Sequence, residues 1–322
     1  QEGKFSKITI GIHQYITKHL PFVWSWLYKS SLVNFLTLPL RVPLASFNYR
    51  QAKKIIDEFK PELIICVQTT ASAVVAYLKR KKLYNNLFAI GFSDFHLHRY
   101  WLYEEADFYL ANIQEQKEEM ARLGINPNKI FVCGMNARPK LAIDKISVKN
   151  KLNAPLEKKV ILVGAGSLGI GLNLKMLDDI KNQLDATIIV VCGKNQKLYE
   201  ELLPFETSKF IVKGFYKPMD ELYAIADIFV SKPGGLTTTE ALAWKLPMLI
   251  THFLPGQEEL NINYLASKNL ILLPKDNLAG QIKEEINTEN FKKHLQNNPN
   301  LPILIGDGKN MVEAVNKMLH GV

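Results

Sequence analysis

Residues 158–167 read Lys-Lys-Val-Ile-Leu-Val-Gly-Ala-Gly-Ser, an apolar run that leads directly into a glycine-containing loop. Such a run is typical of a buried strand in a parallel sheet, because helices cover both faces of such a sheet. Similar runs occupy residues 63–67, 88–92, 108–111, 130–133, 187–191, 210–212, 228–230, 248–251 and 270–273. Segments with a helical pattern alternate with them, at residues 71–81, 114–123, 172–184, 219–226 and 257–267. This alternation predicts an α/β fold with parallel sheets.

The alternation is interrupted at residues 138–159, which contain two prolines, several lysines and no clear strand. Such a stretch is typical of a linker between domains. We therefore expect two Rossmann-like domains, at residues 1–145 and 146–305, followed by a C-terminal helix at residues 306–322 that packs back on the first domain. Ligands of such sheets bind at the carboxyl ends of the strands. With two domains, the expected place is the cleft between them.

The net charge of +9 is concentrated near the start of the chain. Residues 3–56 contain eight Lys and Arg residues and no Asp or Glu, together with several Trp, Tyr and Phe residues. A concentrated basic region favours phosphate groups, in nucleic acid or in anionic lipid. Trp and Tyr beside Lys favour a membrane interface, and the candidate contacts are Lys18, Trp24, Trp26 and Lys29. The alternative is an ordinary domain face with buried aromatic residues. Nucleic acid is disfavoured because no groove-reading motif accompanies the charge.

No apolar run approaches the roughly 20 residues that a membrane-spanning helix needs, and no signal-peptide pattern is present. These features predict a protein that lies on a membrane without crossing it. The three cysteines, Cys66, Cys133 and Cys192, each lie in an apolar run and share no metal-type spacing. They are expected to be buried free thiols in the reducing cytosol.

Glycines at positions 164, 166, 169 and 171 follow the strand with which we began. Glycine lets backbone N–H groups approach an anion, and a following helix adds a favourable dipole. A tight turn without a ligand remains the alternative. The dinucleotide fingerprint does not fit, since the next strand ends in Cys-Gly-Lys-Asn195 and not in an acidic residue.

The motif at residues 231–241, Ser-Lys-Pro-Gly-Gly-Leu-Thr-Thr-Thr-Glu-Ala, combines a strand end, a Pro-Gly-Gly turn and a helix start. Its backbone amides and threonine hydroxyls suit a diphosphate, and Glu240 is placed to accept hydrogen bonds from ribose hydroxyls. Thr237 and Glu240 also have the spacing of a capping box, in which Glu240 only satisfies the helix end. A third motif, Leu-Pro-Gly-Gln-Glu-Glu at residues 254–259, offers amide and carboxylate groups for sugar hydroxyls. Its alternative is an ordinary helix start rich in acids.

Residues 210–265, with these two motifs in order, resemble the C-terminal donor domain of GT-B glycosyltransferases. The nearest group contains the monogalactosyldiacylglycerol synthases and the processive diacylglycerol glucosyltransferases. The peptidoglycan N-acetylglucosaminyltransferase is a more distant relative. In the first half, residues 92–101 are similar to a Thr-Asp-Phe-x-x-His-x-x-Trp signature of the lipid-glycosylating group, with Ser93 in place of Thr. The resemblance implies two Rossmann-like domains whose parallel sheets face a central cleft.

The resemblance also implies roles for individual residues. The diphosphate would contact Gly166, Ser167, Gly234, Gly235 and Thr237. Uracil would lie against Asn195 and the Gly214-Phe215 backbone, ribose against Glu240, and the hexose against Gln257 and Glu258. Asp94 and His98 are the candidate catalytic residues, with a structural role as the alternative for His98.

The activity implied is inverting transfer of a hexose from a UDP-sugar to a membrane lipid, with diacylglycerol as the expected acceptor. No metal or cofactor is expected, and the predicted location is the inner face of the cell membrane, bound peripherally. The family's glycine loop with a catalytic histidine is not found in the sequence, and the first strand with that loop is expected to be missing. Alternatives are a peptidoglycan-precursor N-acetylglucosaminyltransferase, a UDP-sugar epimerase, and a catalytically impaired donor-binding fragment.

Overall fold

The computed structural model describes residues 16, 20–47, 49–137, 141–166, 169, 172–306 and 308–320. They fall into two compact units. Unit 1 comprises the chain up to residue 136 together with residues 254–260 and 306–322, and unit 2 comprises residues 137–253 and 261–305. This division differs from the predicted ranges in two places: unit 1 ends at residue 136 and not at residue 145, and residues 254–260, expected in the second domain, pack within unit 1.

Unit 1 begins with four short helices, α1 (Pro21–Lys29), α2 (Ser31–Thr37), α3 (Arg41–Ala45) and α4 (Tyr49–Phe59). Proline at the first position of α1 is favourable because no N–H partner is needed there. The Ser30 hydroxyl caps α2 by accepting a hydrogen bond from the Val33 amide at 3.3 Å, as is typical of serine at a helix start.

A four-stranded parallel sheet forms the centre of unit 1, in the order β1-β2-β3-β4. Its strands are β1 (Leu63–Cys66), β2 (Leu87–Gly91), β3 (Phe108–Ala111) and β4 (Ile130–Val132). Helices α5 (Thr69–Arg80) and α6 (Gln114–Arg122) follow β1 and β3. The short strand β5 (Met135–Asn136) comes after β4.

The C-terminal helix α16 (Lys309–His320) packs against the sheet of unit 1. Its buried residues Ala314 and Met318 share an apolar cluster with Ala89, Leu110 and Cys133. The apolar side of this helix therefore packs into the core of unit 1, although the helix is last in the chain.

Unit 2 contains a five-stranded parallel sheet in the order β10-β9-β6-β7-β8. The strands are β6 (Val160–Gly164), β7 (Thr187–Val191), β8 (Phe210–Lys213), β9 (Ile228–Ser231) and β10 (Met248–Ile250). Every residue of β6, β7 and β9 is buried, as expected for parallel strands covered by helices on both faces. The predicted α/β class with two Rossmann-like domains is confirmed.

The helices of unit 2 alternate with these strands. They are α7 (Lys145–Lys151), α8 (Leu174–Gln183), α9 (Gln196–Leu202), α10 (Asp220–Ile225), α11 (Gly235–Ala243), α13 (Leu278–Thr288), α14 (Asn290–Asn297) and α15 (Leu301–Leu304). Helix α12 (Gln257–Ser267) starts in unit 1 and ends in unit 2, and β11 (Ile305–Gly306) precedes α16.

Two local predictions were wrong. The segment predicted as a linker contains α7, whose Val148 is buried and whose first turn is capped by Asp144. Residues 270–273 form no strand; Leu272 makes a single parallel bridge to Leu249. The Leu272 amide and carbonyl are bonded to the Met248 carbonyl and the Ile250 amide of β10, and the next carbonyl, of Leu273, accepts a hydrogen bond from the Gln281 side chain at 2.9 Å.

Candidate functional site

The carboxyl ends of β6, β9 and β10 lie side by side in the sheet of unit 2, and we call this place the β6–β9–β10 edge. The Ser231 hydroxyl donates to the Gly164 carbonyl at 3.0 Å, and the Thr251 amide donates to the Ser231 carbonyl at 3.3 Å. The loops that follow the three strands therefore start next to one another. In open parallel sheets this is where ligands bind.

Helix α11 begins at this edge without a side-chain cap. Its N-cap is Gly234, and Thr237 lies in the first turn of the helix. The capping box that the sequence allowed would need Thr237 at the N-cap, so the structure excludes it. The Glu240 carboxylate instead accepts a hydrogen bond from the Tyr223 hydroxyl at 3.2 Å and is only partly buried.

The start of α11 leaves open space beside its backbone. Among the described residues, no atom would lie within 4 Å of a Cβ added to Gly234, and the dihedral angles of Gly234, φ −67° and ψ 133°, are open to any residue. Within unit 2 neither packing nor backbone conformation requires glycine here. Bare backbone beside open space permits close approach of a ligand, and the helix start favours an anion.

The glycine loop after β6 is shaped by its neighbours. Gly166 has φ +72°, and a Cβ there would lie 2.6 Å from Cε of Lys232. Gly169 has φ +63°, and a Cβ there would lie 2.2 Å from the Cys192 carbonyl oxygen. Packing against backbone therefore requires glycine at Gly169, as the tight-turn alternative proposed, whereas at Gly166 the positive φ favours glycine and the close neighbour is a flexible lysine side chain. The predicted diphosphate contact Ser167 lies outside the described residues.

The side chain of Asn195 is engaged within unit 2. Its Oδ1 accepts from the Leu198 amide at 3.1 Å, which caps α9, and its Nδ2 donates to the Gly169 carbonyl at 2.7 Å. These bonds give Asn195 a structural role in joining the loops after β6 and β7. The predicted contact of this residue with uracil would have to compete with them.

Phe215 follows β8 and presents an aromatic ring that is 54% exposed. The Nζ atoms of Lys194 and Lys217 lie 5.9 and 5.3 Å from the centre of this ring. The preceding Gly214 has room for a Cβ, whose nearest neighbour would be Tyr199 at 3.9 Å. An exposed ring flanked by two cations is suited to stacking with a planar, electron-rich group.

His252 also lies at the β6–β9–β10 edge, and we did not predict it as a site residue. Burial and the nearby Lys232 ammonium lower the pKa of His252 to about 4. Its Nδ1 lies 3.2 Å from the Thr251 hydroxyl, whereas its Nε2 is shielded from solvent and has no hydrogen-bond partner in the described part of the chain. The signals available in the sequence were a histidine directly after the predicted strand at residues 248–251 and a lysine two residues after the predicted strand at residues 228–230.

Asp94 and Gln257 lie together in unit 1. The buried Asp94 carboxylate accepts a hydrogen bond from Nε2 of Gln257 at 2.7 Å. The Asp94 carbonyl accepts from the amides of Asn112 and Gln116 at 2.9 and 3.0 Å, which fixes the backbone after β2. A predicted catalytic residue and a predicted sugar-binding residue are therefore direct partners.

The other acids of residues 254–260 organise this loop. Glu258 is buried and accepts from the Leu254 amide at 2.7 Å, and Glu259 accepts from the Gly256 amide at 3.4 Å. Glu259 also forms an ion pair of 2.6 Å with Lys29 of α1. The bond from the Leu254 amide to Glu258 is a contact that an ordinary acid-rich helix start would also make.

Both ring nitrogens of His98 are occupied. Nδ1 accepts from the Tyr100 amide at 3.2 Å, so Nε2 carries the proton that it donates to the Tyr28 carbonyl at 3.0 Å. Burial lowers the pKa of His98. The Tyr28 ring stacks on it with a centroid distance of 4.3 Å, and the Tyr28 hydroxyl lies 2.8 Å from Nε2 of His96. These contacts match the structural role left open for His98, and they bring His96 into the same cluster.

Helices α1 to α3 and the residues next to them expose many apolar side chains. Trp26 is 61% exposed, whereas Trp24 is half-buried and its ring centre lies 6.1 Å from that of Tyr28. The other exposed apolar residues are Leu20, Phe22, Val23, Leu32, Phe35, Leu36, Leu40, Leu44 and Phe47. Of the predicted basic contacts, Lys29 is paired with Glu259, and Lys18 lies outside the described residues. We call Trp26 and these other exposed apolar side chains the apolar face.

Within the described residues, no three His, Cys, Asp or Glu side chains are grouped so that they could hold a metal ion. Among the same residues, no helix has both the length and the apolarity needed to cross a bilayer. Cys66, Cys133 and Cys192 are free and buried, and burial raises the pKa of each thiol to about 11.

Relatives of known activity match most of the chain. A processive diacylglycerol β-glucosyltransferase of Bacillus subtilis is 32% identical over 68% of this chain and 59% of its own length. The enzyme of the same name from Bacillus cytotoxicus is 29% identical over 78% of this chain and 66% of its own length. The chain thus spans about three fifths to two thirds of the length of these relatives.

Solved structures share the fold at low identity. The UDP-GlcNAc 2-epimerase from Neisseria meningitidis bound to UDP-GlcNAc aligns with a TM-score of 0.58 and 16% identity, covering 85% of this chain and 81% of its own. The UDP-GlcNAc 2-epimerase from Methanocaldococcus jannaschii aligns with a TM-score of 0.57 and 15% identity, covering 84% and 81%. At such identity the likeness concerns the fold alone.

Two family models match consecutive parts of the chain. The model of monogalactosyldiacylglycerol (MGDG) synthase matches residues 2–136, and the model of glycosyl transferases group 1 matches residues 143–300. The predicted resemblance to lipid-glycosylating GT-B enzymes is confirmed. By these matches the first part of the chain is similar to the monogalactosyldiacylglycerol synthase family and the second part to the group 1 glycosyl transferases.

Proposed function

We propose that this chain transfers a hexose from a UDP-sugar to a membrane lipid, with diacylglycerol as the acceptor, and that the reaction inverts the anomeric centre. The observation that carries the proposal is the start of α11. It combines space beside Gly234 that no described residue fills, a helix start without a side-chain cap from its N-cap residue, and the Glu240 carboxylate, which is bonded to the Tyr223 hydroxyl and forms no capping box with Thr237. The order of the two family matches supports the same activity.

The donor is proposed to bind at the β6–β9–β10 edge. The amides at the start of α11 and the helix dipole stabilise the diphosphate, both in the bound donor and as it leaves. Glu240, positioned by the Tyr223 hydroxyl, accepts hydrogen bonds from the ribose hydroxyls. Phe215 supplies an aromatic surface for the base. Because amides and Lys232 meet the negative charge, no metal or other cofactor is needed in this scheme.

Asp94 is proposed to take the proton from the lipid hydroxyl as that oxygen attacks the anomeric carbon. Its carboxylate is buried and oriented by the Gln257 amide, and its backbone is fixed by Asn112 and Gln116. A base held in one orientation needs little reorganisation in the transition state. His98 and Tyr28 then support this region by packing and hydrogen bonding.

The apolar face is proposed to lie on the inner surface of the cell membrane. Short helices that expose Trp and Phe side chains bind membranes by immersing an apolar face to the depth of the headgroups. The exposed Arg50 and Lys54 of α4 add attraction to anionic lipid. Nucleic acid is not proposed as a partner, because aromatic and aliphatic side chains dominate this face.

Calorimetric titration with UDP, without added metal, tests the donor site. Loss of a hydrogen bond to a charged group costs about 1.5 to 3 kcal/mol, so Glu240→Ala should weaken UDP binding roughly 10- to 150-fold. Glu284→Ala, which removes an exposed carboxylate of α13 in the same unit, is the matched control and should bind UDP like the parent. Equal affinity of the parent and Glu240→Ala would refute the role of Glu240.

Transfer itself is tested with vesicles that contain diacylglycerol and anionic lipid, supplied in turn with UDP-glucose, UDP-galactose and UDP-N-acetylglucosamine. Formation of a glycolipid, with release of UDP, is the expected result. Binding of UDP without glycolipid from any donor would restrict the proposal to donor binding. Release of free epimerised sugar nucleotide would replace the proposal with epimerase activity.

A further inference from the structure

Lys232 joins two of the loops at the β6–β9–β10 edge. It follows Ser231 at the end of β9, and its side chain passes so close to Gly166 that a Cβ on that glycine would lie 2.6 Å from Cε of the lysine. The positive φ of Gly166 and its missing side chain thus make room for a lysine chain. Nζ of the lysine would lie 3.8 Å from the same Cβ, so the ammonium group is next to the loop after β6.

His252 is placed at the same edge by the neighbouring strand. Ile250 pairs with Ser231, so Thr251 is level with Lys232 and the histidine is one residue further along the adjacent loop. Its Nδ1 contacts the Thr251 hydroxyl, and its Nε2 has no partner among the described residues although solvent does not reach it. A buried polar atom without a partner is unfavourable, and a catalytic role or a bound ion is among the explanations for one in a native protein.

We infer that a nucleoside diphosphate bound at the β6–β9–β10 edge draws a proton from solvent onto His252, so that donor binding is coupled to protonation of this ring. The inference rests on the proposed function, since it places the UDP-sugar at this edge. The proton goes to a ring nitrogen, and no bond of the ligand is made or broken. Neither Lys232 nor His252 was assigned a role by the motifs of the sequence.

The charges around the ring give the direction of the effect. In the described part of the chain, Lys232 in the β9–α11 loop is the charged group whose field acts on His252, and it opposes a second positive charge. On β10 itself, the neighbouring group is the uncharged Thr251 hydroxyl. An anionic diphosphate offsets the lysine charge and supplies acceptor oxygens, and both effects favour the imidazolium ion.

The pH window follows from the pKa of His252. Without ligand this pKa is about 4, well below the ordinary value of 6.5. A ligand that raises the pKa of His252 causes proton uptake at pH values between the pKa of the free protein and the pKa of the complex. At about pH 5.5, the parent should take up as much as about one proton more per UDP bound than a variant without the ring.

The test is calorimetric titration of the full chain with UDP in buffers of different ionisation enthalpy, for the parent and His252→Gln. Subtracting the two removes the protons exchanged by the phosphate of UDP itself. His294→Gln is the matched control, because His294 is exposed on α14 of the same unit; it should take up as many protons as the parent. Uridine, which carries no phosphate, should cause no uptake by the parent, and this arm needs no variant.

Lys232→Met provides a second variant. It raises the pKa of His252 in the ligand-free protein, so its proton uptake at about pH 5.5 should be smaller than that of the parent. Equal uptake by the parent and a folded His252→Gln would overturn the inference while leaving the donor site intact. Absence of UDP binding to the parent across the pH range would overturn the donor-site proposal together with it.

Discussion

Replacing the most exposed rings of the apolar face tests its role directly. Phe22 on α1 is 83% exposed and Phe35 on α2 is 73% exposed. Neither contributes to the buried core, so Phe22→Ser and Phe35→Ser should leave the folding of unit 1 nearly unchanged. Each removes apolar area that a bilayer would otherwise cover.

The magnitude follows from the exposed area. A phenylalanine buries about 150 to 250 Å² when it is fully covered, and each Å² is worth about 25 cal/mol. Full immersion of the exposed part of one ring would therefore stabilise the bound state by about 3 to 5 kcal/mol. An interfacial helix immerses only part of each ring, so we expect about 2 kcal/mol, which corresponds to roughly 30-fold weaker binding per ring.

The assay is sedimentation of the protein with vesicles of neutral and anionic phospholipid at fixed ionic strength. Phe205→Ser is the matched control, since Phe205 is 55% exposed but belongs to unit 2. It should bind vesicles like the parent. Unchanged vesicle binding by the Phe22→Ser, Phe35→Ser double variant would refute the argument that this face meets a membrane.

Three further outcomes are expected. Gly169→Ala should destabilise unit 2 by more than about 1 kcal/mol in urea unfolding, because its Cβ would collide with the Cys192 carbonyl at a positive φ; wild-type stability would contradict this account of the loop. The free energy of unfolding should fall by up to about 1.4 kcal/mol per unit as pH drops from 6.5 towards 4, because the unfolded state then binds more protons at His252. His252→Gln should flatten that dependence, and an unchanged slope would argue against it. Asp94→Asn should lower kcat of hexose transfer at least 100-fold while the Kd for UDP stays within a factor of two to three; a full kcat would exclude Asp94 as the base.

The sequence was informative where one local pattern determines the structure. Buried parallel strands are continuous apolar runs, and the strand at residues 108–111 was predicted to the residue. Residues 270–273 are also an apolar run, yet their pairing with β10 is limited to Leu272, and the next carbonyl is bonded to the Gln281 side chain. How far a run pairs with its neighbour depends on tertiary contacts that spacing does not reveal.

In the candidate site, too, features with a local pattern could be predicted and tertiary contacts could not. The Pro-Gly-Gly motif and Glu240 were found from order and spacing, but only the position of the N-cap at Gly234 could separate a capping box from a binding role. The partnership of Asp94 with Gln257 spans 163 positions of the chain and has no local signal. Lys232 and His252 are single residues after strands, and their meeting depends on the strand order.

The Asp94–Gln257 bond also limits how this protein can be recombined with its relatives. A chimera that joins the first half of one enzyme to the second half of another would bring a foreign segment 254–260 to Asp94, to Tyr28 beside Gly256 and to Lys29 beside Glu259. The foreign segment would have to form these contacts with unit 1 anew, even when the junction falls between the two family matches. An exchange that keeps them separate has to carry residues 254–260 with the first half.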